Sequence, residues 1–421
     1  NGMELMSDDG LTTYFDDLET RSPEARAAGL AECLPAQIRA ARSLPGYAES
    51  LAQVDPEAID SAAALAALPV LRKAALGAAQ QARPPLGGFT TIDPTAFAHL
   101  FQSPGPLYEP GQISGNWWRV GRFLHAAGIG RGDIVQNCFG YHLTPAGMIF
   151  ENGARAVGAT VLPAGTGQTE LQVRAAADLG TTAYAGTPDY LKVILDKAAE
   201  QGVALRIARA AVSGGALFPS LRAEYAERGV TCLQCYATAD LGLIAYESPP
   251  PDGGTPEGMI VDEGVILEIV TPGTGDPVAD GEVGEVVVTS LNPDYPLIRF
   301  ATGDLSAVLP GESPCGRTNL RIRGWMGRAD QTTKIKGMFV RPEQVADLVA
   351  RHPEIARARV VATREGEQDA MLVQVEAEGG DPAAFEASVA EMLKLKGRVE
   401  IVAPGSLPND GKVIDDQRSY D

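Results

Sequence analysis

The chain has 421 residues, which is too long for one ordinary hydrophobic core and predicts two or three domains. Apolar residues make up 45% and charged residues 21%, as in ordinary globular proteins. The net charge of −19, from 35 basic and 54 acidic residues, argues against a broad basic surface for nucleic acid or an anionic membrane. No apolar run approaches the ~20 residues that cross a bilayer. Neither nucleic acid nor membrane is therefore expected as a partner, although a small anionic ligand is compatible with this charge.

The cysteines number five, and an odd count in a chain of this length does not suggest a disulfide framework. The first residues carry neither a basic flank nor an apolar stretch, so we expect no signal peptide, reduced thiols and a cytoplasmic location. Cys232 and Cys235 have the spacing of zinc ligands, but no second pair follows them. Residues 229–236 are better interpreted as a buried strand, which leaves a zinc site as the less favoured alternative.

The first part of the chain is helical in pattern. Residues 11–80 are rich in Ala, Leu, Glu and Arg, and Ser22-Pro23 predicts a helix with a serine cap and a proline in its first turn. From about residue 97 to 300, short apolar runs alternate with amphipathic segments, a β-α-β rhythm that predicts a mostly parallel sheet with helices on both faces. The predicted strands lie at 134–138, 160–163, 182–185 and 210–213, and the predicted helices between them lie at 170–178 and 188–201.

The pattern changes twice in the C-terminal half. Residues 258–323 are denser in strand-like runs and predict a small β-subdomain. Beyond residue 330 the chain predicts a separate α+β domain, with helices at 342–351 and 382–395 and strands at 332–335, 358–362, 370–376 and 399–402. The sequence therefore predicts an α/β fold with a large N-terminal domain of residues 1–329 and a small, mobile C-terminal domain of residues 330–421.

Three short motifs in the C-terminal third place charged residues beside glycine. Residues 296–304 contain Arg299 and end in Thr-Gly-Asp at Asp304. Residues 324–330 read Gly-Trp-Met-Gly-Arg-Ala-Asp, and Lys412 lies on a Gly-Lys turn near the end. A lysine ammonium is a compact cation that suits a carboxylate or phosphate oxygen, although most terminal lysines are only solvated. The Asp304 carboxylate can accept hydrogen bonds from ribose hydroxyls, or it can belong to an ordinary turn. The Arg299 guanidinium can contact a phosphate, or it can form a structural ion pair.

This order of motifs resembles that of the acyl-adenylate-forming, AMP-dependent ligases. Other stretches, such as residues 158–170, resemble their phenylacetate–CoA ligase branch, and the similarity extends over nearly the whole chain. The resemblance implies ATP, Mg²⁺ and coenzyme A as cofactors, a small carboxylic acid as substrate, and a homodimer. It further implies that Lys412 offsets the charge that develops during adenylation, and that Asp330 is the hinge of a rotating C-terminal domain.

The resemblance also implies a nucleotide site. The Gly-Gly turn after residues 210–213 would lie against adenine, because glycine lets the backbone approach a flat ring closely. Residues 236–240 stand where the family has Tyr-Gly-x-Thr/Ser-Glu, and Asp240 there is a hard oxygen ligand suited to Mg²⁺. The implied nucleotide-binding residues are Ser103, Gly105, Gly214, Gly215, Ala216, Tyr236, Ala237, Thr238, Arg299 and Asp304.

The largest departure from the family lies at residues 101–110. The family has here a Ser/Thr/Gly-rich loop that ends in Gly-Lys-Pro and holds phosphates with amides and hydroxyls. This chain instead reads Phe-Gln-Ser-Pro-Gly-Pro-Leu-Tyr-Glu-Pro, in which prolines remove amide donors and Glu109 aligns with the family's lysine. Only Ser103 and Gly105 retain suitable chemistry, so we interpret the segment as a degenerate phosphate loop.

Substrate-binding residues are implied in two places. The acyl pocket would be lined by Tyr141, His142, Ala164 and Gly165, with ordinary packing at a strand end as the alternative for the first two. Lys336 and Gly337 would contact CoA during the second half-reaction, with a surface hairpin as the alternative.

Two functions remain open from the sequence. The favoured function is that of an AMP-forming carboxylate–CoA ligase for an aromatic or arylacetic acid. A variant that passes the acyl group to a carrier-protein thiol is not distinguished from it. The alternative is a catalytically reduced or non-catalytic relative that binds a nucleotide or acyl-CoA, and the degenerate phosphate loop favours this alternative.

Overall fold

The computed structural model describes residues 13–329, 333–366 and 368–418. Over these residues the protein is a mixed α/β structure, which confirms the predicted fold class. The chain forms two compact units. The first contains the chain up to Leu267 together with Val288–Phe300 and Leu309–Gly324, and the second contains Glu268–Val287, Ala301–Val308 and the chain from Trp325. Within the described segments, no helix combines the length and apolar character that a bilayer span requires.

The first helix begins where the sequence supplies a cap. The side-chain oxygen of Ser22 accepts a hydrogen bond from the Ala25 amide at 3.1 Å, and Pro23 occupies the first turn, as predicted. The elements up to the main sheet are α1 (Pro23–Arg42), α2 (Ala62–Leu65), α3 (Lys73–Ala82), β1 (His99–Ser103), β2 (Leu107–Gly111) and α4 (Val120–Ala126).

Strands and helices then alternate, as the β-α-β rhythm predicts. They are β3 (Ile134–Asn137), α5 (Ala146–Ala156), β4 (Thr160–Pro163), α6 (Thr169–Leu179), β5 (Ala183–Gly186), α7 (Pro188–Glu200), β6 (Arg209–Val212), α8 (Pro219–Glu227), β7 (Thr231–Thr238), β8 (Gly242–Tyr246) and β9 (Met259–Val261). After them come β10 (Val265–Val270), β11 (Gly284–Ser290), β12 (Phe300–Ser306), β13 (Val308–Leu309) and β14 (Arg321–Ile322).

The main sheet has nine strands in the order β13-β14-β9-β8-β7-β6-β5-β3-β4. Neighbours from β4 to β7 are parallel, whereas β7, β8, β9 and β14 pair antiparallel. Because the carboxyl ends of parallel strands share one edge, the residues that follow β3, β5, β6 and β7 lie along that edge.

The strands of residues 258–323 are arranged differently from the prediction. The sequence predicted one small β-subdomain there, but β9 and β14 belong to the nine-stranded sheet, and only β10, β11 and β12 form a separate three-stranded sheet. A strand-like run indicates extended backbone, but its partner is chosen by contacts distant in sequence. The pairing of β9 with β14 joins residues about sixty positions apart, for example Ile260 with Arg321.

The C-terminal part of the second unit follows the predicted α+β pattern. Its elements are β15 (Thr333–Ile335), β16 (Met338–Val340), α9 (Pro342–Arg351), β17 (Arg357–Glu365), β18 (Gln368–Glu376), α10 (Pro382–Leu393), β19 (Arg398–Val402) and β20 (Ile414–Asp416). The sheet order is β19-β18-β17-β20, and a core that includes Val360, Val373 and Phe385 packs beneath it. The domain boundary at residue 330 lies outside the described residues and stays a prediction.

Cys232 and Cys235 lie in β7, which confirms the predicted buried strand. Residues three apart in a strand point to opposite faces of the sheet. Cys232 packs in a hydrophobic cluster with Tyr184 and Tyr225, whereas Cys235 packs in another with Tyr246. The two thiols therefore do not converge on one ion.

A buried network of ion pairs centres on Arg122 in α4, whose side chain is 9% exposed. Its guanidinium donates to Asp262 at 3.1 Å, to Asp16 at 2.8 Å and to Glu19 at 3.0 Å. Arg119 also donates to Asp262, at 2.8 Å. The network fixes residues 16–19 to α4 and to the segment after β9.

Candidate functional site

The shared carboxyl edge of the parallel strands brings together the implied adenine turn and the end of β7. Ser213 follows β6 and donates its hydroxyl to the Cys235 carbonyl at 3.1 Å. Gly214 has φ 76°, a left-handed conformation that favours glycine, and Thr187 is the nearest side chain to it. Gly215 and Ala216 continue this turn toward α8. The turn therefore lies at the strand edge where ligands bind in open α/β sheets.

At the end of β7 the chain turns sharply at Thr238. Its hydroxyl accepts a hydrogen bond from the Leu241 amide at 3.1 Å, so this oxygen already stabilises the turn. Tyr236 is buried, and Ala237 lies at a shift in the pairing between β7 and β8. The residues of this segment for which the resemblance implies nucleotide binding thus lie at the end of a strand with an irregular, bulge-like pairing.

Asp240 lies within this turn and is 6% exposed. Its Oδ2 is 3.8 Å from the Nζ of Lys73, which is the first residue of α3. Its Oδ1 is buried and has no hydrogen-bond partner among the described residues. Burial raises the pKa of Asp240, although the nearby Lys73 charge opposes the shift. A buried carboxylate oxygen without a donor fits a hard cation such as Mg²⁺.

The segment interpreted as a degenerate phosphate loop forms a β-hairpin. β1 and β2 pair antiparallel, with Ser103 opposite Leu107 and Gly105 in the connection between them. The Ser103 hydroxyl donates to the Glu109 carboxylate, so it is engaged inside the hairpin. Glu109 is 1% exposed, and burial together with the charge of Asp240 raises the pKa of Glu109 to about 8. A buried carboxyl group therefore stands at the position that the resemblance aligns with a lysine.

Tyr295 is a further buried polar residue of the first unit, and no sequence pattern singled it out. It is 2% exposed, and its hydroxyl has no hydrogen-bond partner among the described residues. Burial and the charges of Asp240 and Glu109 raise its pKa. Lys73 and Tyr295 are among the residues that sequence reasoning missed, and Lys73 was hidden because it lies more than a hundred residues before its ion-pair partner Asp240.

The residues of the implied acyl pocket are held together by Asn137, at the end of β3. Its side-chain amide donates to the Tyr141 hydroxyl at 2.8 Å, and its backbone carbonyl accepts from the Gly165 amide at 3.0 Å. The Tyr141 hydroxyl in turn donates to Glu151 at 2.7 Å. The structure thus brings Tyr141 and Gly165 together, and Asn137, which is 1% exposed, was not singled out from the sequence.

His142 and Ala164 differ in exposure from these residues. The His142 side chain is exposed, whereas Ala164 is half-buried and packs against a cluster that includes Tyr184. The Tyr141 hydroxyl accepts a hydrogen bond from Asn137 and donates one to Glu151, so its described contacts are those of the packing alternative.

Arg299 is placed differently from the phosphate contact that the resemblance implies. It is 1% exposed, and its guanidinium donates to the Leu68 carbonyl. Its amide donates to the Thr289 hydroxyl at 3.0 Å and its carbonyl accepts from the Leu71 amide at 2.8 Å. These contacts fasten the segment before α3 to the start of β12, so the structural role left open in the sequence describes Arg299 better than a phosphate contact does.

In the second unit, Asp304 lies in β12 and is 8% exposed. Its Oδ1 accepts hydrogen bonds from the Trp325 indole at 3.0 Å and from Arg328 at 2.9 Å. The Gly-Trp-Met-Gly-Arg motif therefore surrounds the carboxylate of the Thr-Gly-Asp motif. Asp330, the implied hinge, lies outside the described residues.

Lys412 projects from a tight turn in the second unit. Its amide donates to Asp410 at 3.0 Å, and Gly411 before it has φ 70°. The side chain is 46% exposed, and its Nζ is 3.6 Å from Asp415. Among the described contacts of the Lys412 ammonium, the only restraint is this long and partly exposed ion pair, which is weak because water screens it.

Lys336 and Gly337 form the two-residue connection between β15 and β16. Both have positive φ angles, 48° and 80°, as a two-residue hairpin turn requires. Both residues are exposed, and the Lys336 amide donates to Asp369 at 3.0 Å. The hairpin expected as the alternative is thus present, and its tip is accessible.

Comparison with known proteins supports the sequence resemblance. Residues 125–292 match the family of AMP-binding enzymes. The phenylacetate-coenzyme A ligase of Thermus thermophilus is 31% identical over 265 residues, which cover 61% of this chain and 59% of the relative. The enzyme of the same name from Escherichia coli is 31% identical over 275 residues, covering 62% and 61%. The chain spans about three fifths of the length of these relatives.

Solved structures agree on the fold. A 2-hydroxyisobutyryl-CoA ligase in the postadenylation state, in complex with 2-HIB-AMP, superposes with a TM-score of 0.70 at 23% identity over 99% of this chain and 95% of that one. The same ligase in the thioesterification state, with 2-HIB-AMP and CoA, gives a TM-score of 0.67 at 23% identity over 96% and 92%. The predicted architecture is thereby confirmed beyond the segment that the family match covers.

Proposed function

We propose that this chain, whose residues 125–292 match the family of AMP-binding enzymes, is an AMP-forming carboxylate–CoA ligase. The observation that carries the proposal is the strand edge within that segment, where the Gly214 turn follows β6, Tyr236 lies near the end of the neighbouring parallel strand β7, and the buried Asp240 follows β7. The names of the relatives favour an arylacetic acid such as phenylacetate as substrate. The cytoplasmic location and the homodimer stay predictions from the sequence.

In the proposed reaction, a carboxylate oxygen of the acid attacks the α-phosphorus of ATP and pyrophosphate leaves, giving an acyl-adenylate. The backbone at Gly214, Gly215 and Ala216 binds adenine, with Tyr236 beside it, and Asp304 accepts hydrogen bonds from the ribose. Lys412 supplies a positive charge where negative charge develops, and such electrostatic contributions are often the largest in catalysis. A thiol then attacks the acyl carbon and AMP leaves.

Asp240 is the residue that fits Mg²⁺, because its buried Oδ1 lacks a donor among the described residues. Mg²⁺, when bound, neutralises phosphate charge. The shift in strand pairing between Tyr236 and Ala237 shapes the same strand end, where the Thr238 hydroxyl accepts a hydrogen bond from the Leu241 amide. Ser103 is engaged with Glu109, so a contact from its hydroxyl to phosphate requires that bond to be exchanged.

The second half-reaction rests on the C-terminal domain of residues 330–421, which we propose rotates about Asp330. The exposed hairpin tip at Lys336 and Gly337 would then meet CoA. A carrier-protein thiol is the other acceptor. Incubation with ATP, the acid and free CoA distinguishes the two acceptors, because only a CoA ligase releases acyl-CoA.

A non-catalytic nucleotide-binding or acyl-CoA-binding protein is the second candidate function. The hairpin of β1 and β2 favours it, because Ser103 and the buried Glu109 occupy the place of a phosphate-holding loop. This candidate predicts nucleotide binding without pyrophosphate release.

Replacing Asp304 by alanine should weaken AMP binding by about tenfold to a hundredfold, because hydrogen bonds to a charged group contribute about 1.5–3 kcal/mol. Isothermal titration with AMP measures the change. Trp325→Phe is the matched control, since it removes the indole bond to Asp304 without removing the carboxylate. An equal loss in both variants, or no loss in Asp304→Ala, would remove Asp304 from the ribose site.

A further inference from the structure

The topology of the nine-stranded sheet marks one place for a ligand. The chain passes from β3 to β4 on one side, whereas it passes from β5 to β6 on the other side, so the strand order reverses between β3 and β5. In open α/β sheets a ligand binds in the crevice outside the carboxyl ends of the strands at such a reversal. The strand ends at Asn137 and Gly186 therefore border the crevice expected here.

The turn of residues 164–167, which follows β4, folds over the end of β3. The Gly165 amide donates a hydrogen bond to the Asn137 carbonyl at 3.0 Å. Gly165 and Gly167 have φ angles of 67° and 78°, a left-handed conformation that favours glycine. Beyond its chain neighbours, a β-carbon added to either glycine would meet no atom of the described residues within 4 Å. One side of this turn is therefore open, so a flat group can approach its backbone closely.

Gln172 in α6 fastens this turn to β3. The residue is 5% exposed, and its side-chain nitrogen donates to the carbonyls of Gly165 and Gly167, both at 2.9 Å. Its side-chain oxygen accepts hydrogen bonds from the Gln136 amide at 3.0 Å and from the Cys138 thiol at 3.2 Å. A primary amide has two N–H donors and an oxygen with two lone pairs, so Gln172 uses its full hydrogen-bonding capacity between the turn and the end of β3.

These hydrogen bonds direct the two turn carbonyls toward Gln172. The Tyr190 hydroxyl adds a second hydrogen bond to the Gly167 carbonyl, at 3.1 Å. Because the carbonyl acceptors are already used, the open side of the turn presents glycine α-carbons. The face of an aromatic ring can pack on such a surface, since no side chain keeps the ring away and no polar group of the turn loses a hydrogen bond.

We infer that Gln172 is a positioning residue for the carboxylic acid, because it fixes the turn of residues 164–167 as the wall of the crevice on which an aromatic ring of the acid packs. The inference rests on the proposed function and deepens it. Gln172 itself does not touch the acid and acts through the two glycine carbonyls that it holds. A wall without side chains at Gly165 and Gly167 favours a flat aromatic acid.

The test is phenylacetate-dependent exchange of labelled pyrophosphate into ATP by Gln172→Glu and Gln172→Met. The first variant keeps the side-chain shape but has no N–H donor for the turn carbonyls, and the second has a side chain of similar length without the amide. The KM for phenylacetate should rise about tenfold to a hundredfold in both, because a displacement of about 1 Å can have effects up to this size. The KM for ATP should stay within about twofold, because the proposed adenine turn follows a different strand, β6. A merely structural role would lower kcat through the folded fraction and leave the KM for phenylacetate unchanged.

Gln37→Glu is the matched control, because Gln37 makes the same kind of contact elsewhere in the first unit. It is 7% exposed, and its side-chain nitrogen donates to the carbonyls of Ser290 and Asn292 at 2.9 and 2.8 Å. An unchanged KM for phenylacetate in both Gln172 variants, or an equal rise in Gln37→Glu, would overturn the inference and leave the proposed function intact. Circular dichroism of each variant establishes that the fold is kept.

Amide hydrogen exchange followed by mass spectrometry adds a readout that does not depend on activity. Residues 164–167 should exchange faster in Gln172→Glu than in wild type and in Gln37→Glu, because the turn loses two of its hydrogen bonds. Equal exchange in all three proteins would overturn the role of Gln172. Activation of no acid by wild type would instead overturn the proposed function, and with it the place of the acid at this turn.

Discussion

Lys412→Ala should form acyl-adenylate about 10²–10³-fold more slowly than wild type while binding AMP with unchanged affinity. Removing one preorganised group that stabilises transition-state charge has an effect of this size. The side chain is available for this role, because it is 46% exposed and its described ion pair with Asp415 is 3.6 Å long. Single-turnover formation of acyl-adenylate from ATP and an arylacetic acid measures the rate.

Lys396→Ala is the control for Lys412→Ala, since it removes another exposed lysine of the same unit from a place without an implied role. It should leave the rate within about twofold. Equal rates in Lys412→Ala and wild type would show that Lys412 is only a solvated terminal lysine.

The second large effect concerns stability. Arg122→Met should lower the free energy of unfolding of the first unit by about 3 kcal/mol, the lower end of the range for a broken buried ion pair, because Asp262 keeps Arg119 and Glu19 keeps Arg317 as partners. Glu19 and Asp262 have side chains 1% and 0% exposed, and both accept hydrogen bonds from Arg122. Urea unfolding followed by tryptophan fluorescence measures the loss, since Trp117 and Trp118 lie in this unit.

A surface ion pair provides the comparison. Arg174 and Asp178 are 76% and 61% exposed and lie one helical turn apart in α6. Arg174→Met should change stability by less than about 1 kcal/mol, because water already screens that pair. If Arg122→Met costs no more than Arg174→Met, the buried network contributes nothing beyond an exposed pair.

Local signals predicted most of the fold. The Ser22-Pro23 cap and the alternating apolar runs depend on residues close in sequence, and α1, α6, α7 and the parallel strands form where these signals occur. The division of residues 258–323 between two sheets could not be predicted in this way, because β9 pairs with β14 across about sixty residues that include four other strands.

The candidate site was predictable only in part. Motif spacing identified Asp304, Lys412 and Asp240, but it did not show that Arg299 is 1% exposed and bonds the Leu68 carbonyl. The surroundings of Glu109 were equally hidden. The family motif presented it only as a missing lysine, whereas its 1% exposure and its hydrogen bond with Ser103 depend on the hairpin that β1 and β2 form.

Adenylation itself is tested most directly by carboxylate-dependent exchange of labelled pyrophosphate into ATP, without CoA, over a panel of aryl, arylacetic and short aliphatic acids. The proposed function predicts exchange with at least one acid, most strongly with an arylacetic acid, and its loss in Lys412→Ala. Absence of exchange with every acid, in folded protein that binds AMP, would contradict adenylation and favour a nucleotide-binding protein.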